Sequence, residues 1–190
     1  MRIIAGAQRG KRLASVGKGD AGAHLRPTTD RVRESLFNLL VNGGYGDPVT
    51  DARVLDLFAG TGALGLEALS RGAAFACFVD DGQAARALLR ENIGLCAAQG
   101  SSKVFRRDAT KLGDVQQPPF DLVFLDPPYG KGLGEKALIA AIAGGWLLPE
   151  ALIVWEESTA PVPPATCDLL DQRRYGDTVL TILRYLGQGS

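Results

Sequence analysis

Residues 54–65 read VLDLFAGTGALG, an apolar run that passes directly into a loop with glycines at positions 60, 62 and 65. The run Arg53–Leu57 predicts a buried strand, and Ala63–Ser70 predicts the helix that follows the loop. Strand, glycine loop and helix form the opening unit of doubly wound α/β folds, where a ligand lies against the loop and the helix N-terminus. The stretch therefore predicts an α/β domain with a ligand site at the carboxyl edge of its sheet.

Strand and helix patterns continue to alternate after this unit. The predicted strands and helices are, in chain order, Phe75–Val79, Gln83–Ala98, Lys103–Arg107, Asp121–Leu125, Leu133–Ala143 and Ala151–Trp155. Two further strands, Leu169–Arg174 and Val179–Leu186, flank residues 175–178 and predict a terminal hairpin. Continuously apolar strands that are separated by helices indicate a mostly parallel sheet covered on both faces.

The N-terminal end of the chain is strongly basic. The first 33 residues contain eight basic and two acidic residues, although the whole chain has a formal net charge of zero. Within this segment Arg2–Ala5 and Arg12–Val16 have short β-like patterns and predict a hairpin. A basic segment on an acidic body is typical of proteins that bind an anionic polymer. We therefore divide the chain into a basic arm, residues 1–27, and one domain, residues 28–190.

A helix is predicted directly after the arm. Thr28 or Thr29 can cap it, and it is expected to end near Asn42–Gly44. Its apolar positions recur at the spacing of one helix face and are Val32, Leu36, Leu39 and Leu40. Arg31, Arg33 and Glu34 fall on the other faces, where charged side chains are mostly solvated.

Composition excludes several classes of protein. The three cysteines are widely spaced and the chain has one histidine, so neither a disulfide framework nor a metal site is predicted. No apolar run reaches the roughly 18 residues that span a bilayer, and residues 1–10 are too polar for a signal peptide. The expectation is a soluble, cytoplasmic protein without a metal.

The glycine spacing fits two classes of cofactor. A dinucleotide would place its pyrophosphate at the helix N-terminus, with Asp80 on its ribose. Asp56, near the end of the first strand, would repel a pyrophosphate but favour a cation. S-adenosylmethionine carries a sulfonium and an ammonium and no phosphate, so the combination of acid and glycines favours it.

The expected cofactor site is formed by Asp56, Phe58, Ala59, Gly60, Thr61, Gly62, Asp80, Asp108 and Ala109. In this assignment Asp80 accepts hydrogen bonds from the ribose hydroxyls, and Asp108 accepts one from the adenine amino group. Asp is also common in turns at strand ends, which is the structural alternative for Asp108.

The strand Asp121–Leu125 leads into Asp126-Pro127-Pro128-Tyr129 at the same predicted edge of the sheet. An exocyclic amine of a nucleic-acid base is a poor nucleophile because its lone pair is delocalised into the ring. Asp126 and the Pro127 carbonyl can accept hydrogen bonds from its two N–H groups, while Tyr129 can stack on the base. The tetrapeptide therefore predicts methyl transfer to a base amino group, with positioning and electrostatics carrying the rate.

Three alternatives stay open at this point. A nucleotide-dependent oxidoreductase would use the glycine loop, but this activity would not explain the acid–proline tetrapeptide. A non-enzymatic RNA-binding module would use the basic arm alone, with strongly salt-dependent affinity. A DNA or RNA amino-methyltransferase would use the same tetrapeptide on adenine N6 or cytosine N4, although 190 residues leave little room for a separate target-recognition region.

With these segments identified, the chain resembles the bacterial 16S ribosomal RNA (guanine-N2)-methyltransferase family, the RsmD family, over essentially its whole length. The matching segments are residues 2–6, 10–13, 25–34, 56–67 and 126–129. The resemblance implies a Rossmann-like class I fold, with a seven-stranded, mostly parallel sheet, an antiparallel last strand and a small N-terminal β-hairpin extension. It also implies S-adenosylmethionine as cofactor and N2-methylguanine in 16S rRNA as product.

The expected RNA contacts lie in the arm and at the start of the first helix. We assign Arg9, Lys11 and Arg12 in the arm to phosphate contacts, and the resemblance places Arg26, Thr28 and Arg33 near the pocket. The short chain favours recognition of a folded RNA or an assembling small ribosomal subunit, with the target base turned out of its stack. A monomer is expected.

Overall fold

The centre of the molecule is one sheet of seven strands. The computed structural model describes residues 1–15 and 29–187, and its strands are β1 (Arg53–Leu57), β2 (Phe75–Val79), β3 (Ser102–Phe105), β4 (Phe120–Leu125), β5 (Leu147–Glu157), β6 (Cys167–Tyr175) and β7 (Thr178–Tyr185). Their order across the sheet is β3-β2-β1-β4-β5-β7-β6. Strands β1 to β5 pair in parallel, whereas β7 is antiparallel to β5 and β6. The predicted sheet with its antiparallel last strand is confirmed.

Helices cover both faces of this sheet. In the described residues they are α1 (Asp30–Asn42), α2 (Ala63–Ser70), α3 (Gln83–Leu95) and α4 (Leu133–Ala143). Side chains of α1, α2 and α3 pack with Val54 and Phe124 on one face, and α4 packs with Leu55 and Val123 on the other. Successive residues of β1 and β4 therefore enter opposite layers, which is why both strands are apolar throughout.

Strands β2, β1 and β4 end level with one another. Leu57 pairs with Val79 on one side and with Leu125 on the other, and each of these residues is the last of its strand. The next residues, Phe58, Asp80 and Asp126, therefore leave the same edge of the sheet side by side. Because the strand order reverses between β1 and β4, this edge is also where open α/β sheets bind their ligands.

Strand β5 is longer than its sequence pattern indicated. It begins at Leu147 rather than at the predicted Ala151, and its register against β4 shifts between Phe120 and Leu122. Pro149 and Glu150 interrupt the apolar pattern, so the first part of the strand was not predicted. Glu150 also has a φ of 69°. A proline and a left-handed residue are typical of a bulge, which local alternation does not reveal.

Residues 1–15 fold back on the domain. An antiparallel bridge joins Arg2 to Arg12, and the Ile3 N–H donates to the Lys11 carbonyl at 2.9 Å. The predicted hairpin is thus present in minimal form, and Ile3 and Leu13 are buried in the core beneath it. The predicted boundary at residue 27 lies outside the described residues, and the division into arm and domain stays a prediction.

Residues 1–15 and 29–187 contain neither a membrane-spanning helix nor a cluster of metal-binding side chains. None of their helices is both long enough and apolar enough to cross a bilayer. Their His, Cys, Asp and Glu side chains form no group of three or more that could hold a metal ion.

Candidate active site

The two sequence motifs meet at the carboxyl edge of the sheet. We call residues 58–62, which follow β1, the glycine loop, and residues 126–130, which follow β4, the acid–proline loop. The Asp126 N–H donates to the Leu57 carbonyl at 3.4 Å, so the acid–proline loop starts against the residue that precedes the glycine loop. The Ala59 N–H donates to the Val79 carbonyl at 3.1 Å, which joins the glycine loop to the end of β2.

Every second residue of the glycine loop has a left-handed backbone conformation. Phe58, Gly60 and Gly62 have φ values of 59°, 57° and 79°. A Cβ at Gly62 would lie 2.3 Å from Leu89 Cδ1, so a larger residue here would have to displace that side chain as well as adopt a left-handed conformation. The Gly62 N–H closes the turn on the Ala59 carbonyl at 2.8 Å. Helix α2 starts at the next residue with its N-terminus at the loop.

Asp80 fastens the glycine loop to the end of β2. Its Oδ2 accepts from the Gly60 N–H at 2.9 Å, and its Oδ1 accepts from the Gly82 N–H at 2.8 Å. Burial raises the pKa of this carboxyl above its ordinary value despite these two bonds. Each carboxylate oxygen keeps a further lone pair that could accept a hydrogen bond from a ligand hydroxyl.

Asp56 lies beneath the glycine loop and is 1% exposed. Its Oδ2 accepts from the Gly65 N–H in the first turn of α2 at 3.0 Å. Burial raises its pKa to about 8, with the charge of Asp80 adding to the effect. The carboxyl group therefore anchors the start of α2. Its charge would act on a bound cofactor from beneath the glycine loop.

Asp108 and Ala109 lie beyond the end of β3. Asp108 caps the short 3₁₀ turn Ala109–Lys111, because its Oδ1 accepts from the Thr110 N–H at 2.8 Å and the Thr110 hydroxyl at 2.7 Å. These hydrogen bonds lower the pKa of Asp108. Ala109 is buried. The turn is linked to the other strand ends because the Asp80 N–H donates to the Phe105 carbonyl at 3.2 Å.

The acid–proline loop is held by the end of β5. The Tyr129 hydroxyl donates to Glu156 Oε1 at 2.7 Å and lies 3.0 Å from Thr178 Oγ1, and the Gly130 N–H donates to Glu157 Oε1 at 3.1 Å. Burial, together with the charge of Glu156, raises the pKa of Tyr129. Pro127 is buried, while Asp126, Pro128 and Tyr129 are partly exposed at the edge.

Glu156 and Glu157 were not predicted as site residues from the sequence. Both are buried carboxylates at the end of β5, the strand next to β4. The available signal was two acids directly after the apolar stretch Ala151–Trp155, at the edge where the other acids were expected.

The expected RNA-binding residues separate into three groups. Arg9, Lys11 and Arg12 are exposed on the turn of the arm. Arg26 and Thr28 lie outside the described residues. Arg33 is fully buried, which corrects its placement on the solvated face of α1, while its assignment to RNA contact stays a prediction.

Arg33 belongs to a buried ionic cluster instead. Its Nη2 donates to Asp30 Oδ1 at 2.9 Å and to the Arg2 carbonyl, and its Nε lies 3.9 Å from Glu67 Oε2. Burial lowers the pKa of the guanidinium below its ordinary value. Helical periodicity could not reveal this position, because the buried acid Glu67 that faces it comes from α2.

The fold and the paired loops define a class I methyltransferase. Residues 1–184 match the family described as "Conserved hypothetical protein 95". The chain is 38% identical to ribosomal RNA small subunit methyltransferase D of Escherichia coli, over 100% of this chain and 92% of that protein. It is also 36% identical to a putative rRNA methyltransferase of Bacillus subtilis, over 98% of this chain and 100% of that one. The chain therefore belongs to the ribosomal RNA small subunit methyltransferase D family.

A solved structure supports the same conclusion. A putative methyltransferase from Escherichia coli superposes with a TM-score of 0.81 at 38% identity and covers 99% of both chains. The predicted fold class, enzyme class and family are confirmed. The roles of the individual site residues stay predictions, because neither the geometry nor the relatives test them.

Proposed function

We propose that this protein transfers a methyl group from S-adenosylmethionine to the exocyclic N2 of a guanine in small-subunit ribosomal RNA. The observation that carries the proposal is the hydrogen bond from Asp126 to the Leu57 carbonyl, which brings the glycine loop and the acid–proline loop together. The relatives named as small-subunit rRNA methyltransferases support the choice of substrate.

The acids of the cofactor site fit a cationic ligand. Burial raises the pKa values of both Asp56 and Asp80, so a positive charge close to them would stabilise their ionised forms. A pyrophosphate would be repelled by the ionised form of Asp56, which disfavours a dinucleotide. When bound, S-adenosylmethionine supplies an electrophilic methyl group on a cationic sulfur.

Each part of the cofactor has a proposed contact. The main chain of Phe58, Ala59, Gly60, Thr61 and Gly62 lines its methionine portion. Asp80 accepts from the ribose hydroxyls, and Asp108 accepts from the adenine amino group through its Oδ2, beside Ala109. Oδ1 of Asp108 is already used by Thr110.

The acid–proline loop prepares the target nitrogen. Asp126 accepts a hydrogen bond from one N–H of the guanine amine, and the Pro127 carbonyl accepts a hydrogen bond from the other. These two bonds favour a pyramidal nitrogen with a localised lone pair. Pro127 and Pro128 restrict the backbone φ angles of the loop, and Tyr129 stacks on the base while Glu156 holds its hydroxyl. Transfer would form the C–N bond as the methyl–sulfur bond breaks and S-adenosylhomocysteine leaves, and the nitrogen would then lose a proton to Asp126 or to water.

The arm provides the proposed RNA contact. Arg9, Lys11 and Arg12 are exposed together and would neutralise backbone phosphates. We propose that the substrate is rRNA within an assembling small subunit, that the enzyme acts as a monomer in the cytoplasm, and that Arg26 at the end of the arm and Thr28 at the start of the domain contribute to RNA binding.

The test is methyl transfer from isotopically labelled S-adenosylmethionine to free small-subunit rRNA and to partly assembled subunits, with double-stranded DNA as the control acceptor. Mass spectrometry of the digested nucleosides should find the label in N2-methylguanosine. Label in N6-methyladenosine or N4-methylcytidine would instead support the alternative amino-methyltransferase. Absence of transfer to any nucleic acid would contradict the proposal.

A further inference from the structure

Asn92 of α3 is fully buried and connects two segments that are distant in the sequence. Its Oδ1 accepts from the Ala14 N–H at 2.7 Å, and its Nδ2 donates to the Ala14 carbonyl at 3.0 Å. The same Nδ2 donates to the Thr61 carbonyl at 2.9 Å. One side-chain amide thus holds the N-terminal arm and the glycine loop together.

The geometry of the amide makes these contacts interdependent. Because Oδ1 and Nδ2 pair with both main-chain groups of Ala14, they fix the amide plane and the direction of its nitrogen. An amide nitrogen has two N–H bonds, so the second is aimed at Thr61 once the first is used by Ala14. The Thr61–Gly62 peptide is then held at both ends, since the Gly62 N–H donates to the Ala59 carbonyl at 2.8 Å.

The rest of the arm is fastened to α2 by polar side chains. The Ile4 and Ala5 N–H groups donate to Glu67 at 2.8 and 3.0 Å, and the Gln8 N–H donates to Ser70 Oγ at 2.9 Å. The exposed basic turn at residues 9–12 lies between these contacts and Ala14. A force or a ligand acting on the turn therefore reaches Asn92 through a short, covalently continuous segment.

We propose that Asn92 is a positioning residue that couples docking of the arm to the shape of the glycine loop, so that occupation of the cofactor site and docking of the arm strengthen each other. If Ala14 moves away, Asn92 loses two of these three bonds, its amide can rotate, and the Thr61 carbonyl loses its aligned donor. The inference rests on the proposed function only in identifying the loop's ligand as S-adenosylmethionine and the arm's ligand as RNA.

Thermodynamic reciprocity provides the direct test. If a docked arm favours the cofactor, then a bound cofactor must lower the equilibrium constant for opening of the arm by the same factor, and an amide that exchanges from the open state slows accordingly. We would measure hydrogen exchange of the Ala14 amide by NMR in the full chain, with and without saturating S-adenosylhomocysteine. Exchange is expected to slow about fivefold or more, the lower end of typical couplings.

Substitutions of Asn92 locate the coupling. Asn92→Leu keeps much of the volume but removes every hydrogen bond, so S-adenosylhomocysteine should bind about five- to tenfold more weakly and no longer slow exchange at Ala14. In methyl transfer the KM for S-adenosylmethionine should rise more than kcat falls. Ile93→Ala is the matched control: Ile93 is the buried neighbour on α3, and its loss should leave the slowing intact. If Asn92→Leu does not fold, Asn92→Asp, which lacks the Nδ2 donors, carries the same expectation.

Two results would overturn the inference. One is an Ala14 exchange rate in the wild-type protein that S-adenosylhomocysteine does not change at saturation. The other is slowing that persists in the Asn92 variant. Calorimetry on the wild-type protein separates these from failure of the proposed function, which would appear as no binding of S-adenosylhomocysteine. Methylation of a base other than guanine would refute the proposed specificity and still support the coupling if exchange slows.

Discussion

The glycine loop and the acid–proline loop follow adjacent strands, yet different parts of the molecule hold them. Main-chain groups of the glycine loop are held by Asp80 after β2 and by Asn92 of α3. The acid–proline loop is held by Glu156 and Glu157 at the end of β5 and by Thr178 of β7. The sheet fixes their distance, but the supports are independent. Binding of the cofactor and positioning of the target base should therefore respond to different substitutions.

Asp126→Ala is expected to show the largest difference between the effect on catalysis and the effect on cofactor affinity. Loss of the carboxylate that accepts from the target amine should lower kcat about 10²- to 10⁴-fold, as for other groups that act on a developing charge or proton. The dissociation constant of S-adenosylhomocysteine should stay within about threefold, because the supports of the glycine loop are intact. Labelled methyl transfer and calorimetry measure the two quantities, and the exposed Asp114→Ala serves as control. Activity above a tenth of wild type would refute the role of Asp126.

Asp80→Ala is expected to give the converse result. It removes the bonds to Gly60 and Gly82 together with the proposed bonds to ribose. Hydrogen bonds to a charged group contribute about 1.5–3 kcal/mol, so the dissociation constant of S-adenosylhomocysteine should rise about 10- to 150-fold. The exposed neighbour Asp81→Ala tests whether position or charge alone matters. Equal weakening in both variants would show a general charge effect rather than a specific site.

These two positions also show what sequence can predict. Asp80 and Asp126 each follow an apolar parallel strand, so the pattern that predicts the strand also places the acid at the ligand edge. For the same reason β1, α2 and β2 were located at the correct residues.

The contacts that support the loops could not be predicted in this way. Asn92 pairs with Ala14 across 78 residues and Tyr129 pairs with Glu156 across 27. Arg33 looked like a solvated helix charge because its buried partner, Glu67, is in another helix. A local pattern carries no information on such pairs, since they depend on how the elements pack.

A smaller effect is expected for Tyr129→Phe. The ring stays available for stacking, but the hydroxyl contacts with Glu156 and Thr178 are lost. Because only these supporting bonds are lost and the ring that stacks on the base is kept, kcat should fall about 3- to 10-fold, or about 0.5–1.5 kcal/mol, with unchanged cofactor affinity. Steady-state kinetics with Tyr45→Phe, a tyrosine outside the acid–proline loop, as the comparison would measure this. If cofactor affinity changed more than kcat, the supports of the two loops would not be independent.

The last prediction concerns the protonation of Asp56 and its effect on stability. Its pKa is raised from 3.8 to about 8 in the folded protein, so the folded state binds a proton more tightly than the unfolded state between these values. The stabilisation from this carboxyl is present at low pH and is lost as the pH rises through about 8. Asp56→Asn should therefore flatten the fall in the free energy of unfolding between pH 5 and pH 9, measured by urea titration.

Cofactor binding should report on the same group. A cation bound above Asp56 favours its ionised form, so binding near neutral pH should release less than one proton and should tighten as the pH approaches about 8. Calorimetry with S-adenosylmethionine in buffers of different ionisation enthalpy measures the proton, and Asp56→Asn should abolish its release. Identical release by the variant would assign the proton to another group.

The docking of the arm also limits how the enzyme can be engineered. Gly6 lies against the end of α2 so closely that a Cβ would come within 1.8 Å of the Ser70 carbonyl oxygen. The arm therefore packs closely on this helix and forms hydrogen bonds with Glu67, Ser70 and Asn92. Grafting it onto another methyltransferase as a ready-made targeting module would fail unless the recipient supplied the same three side chains.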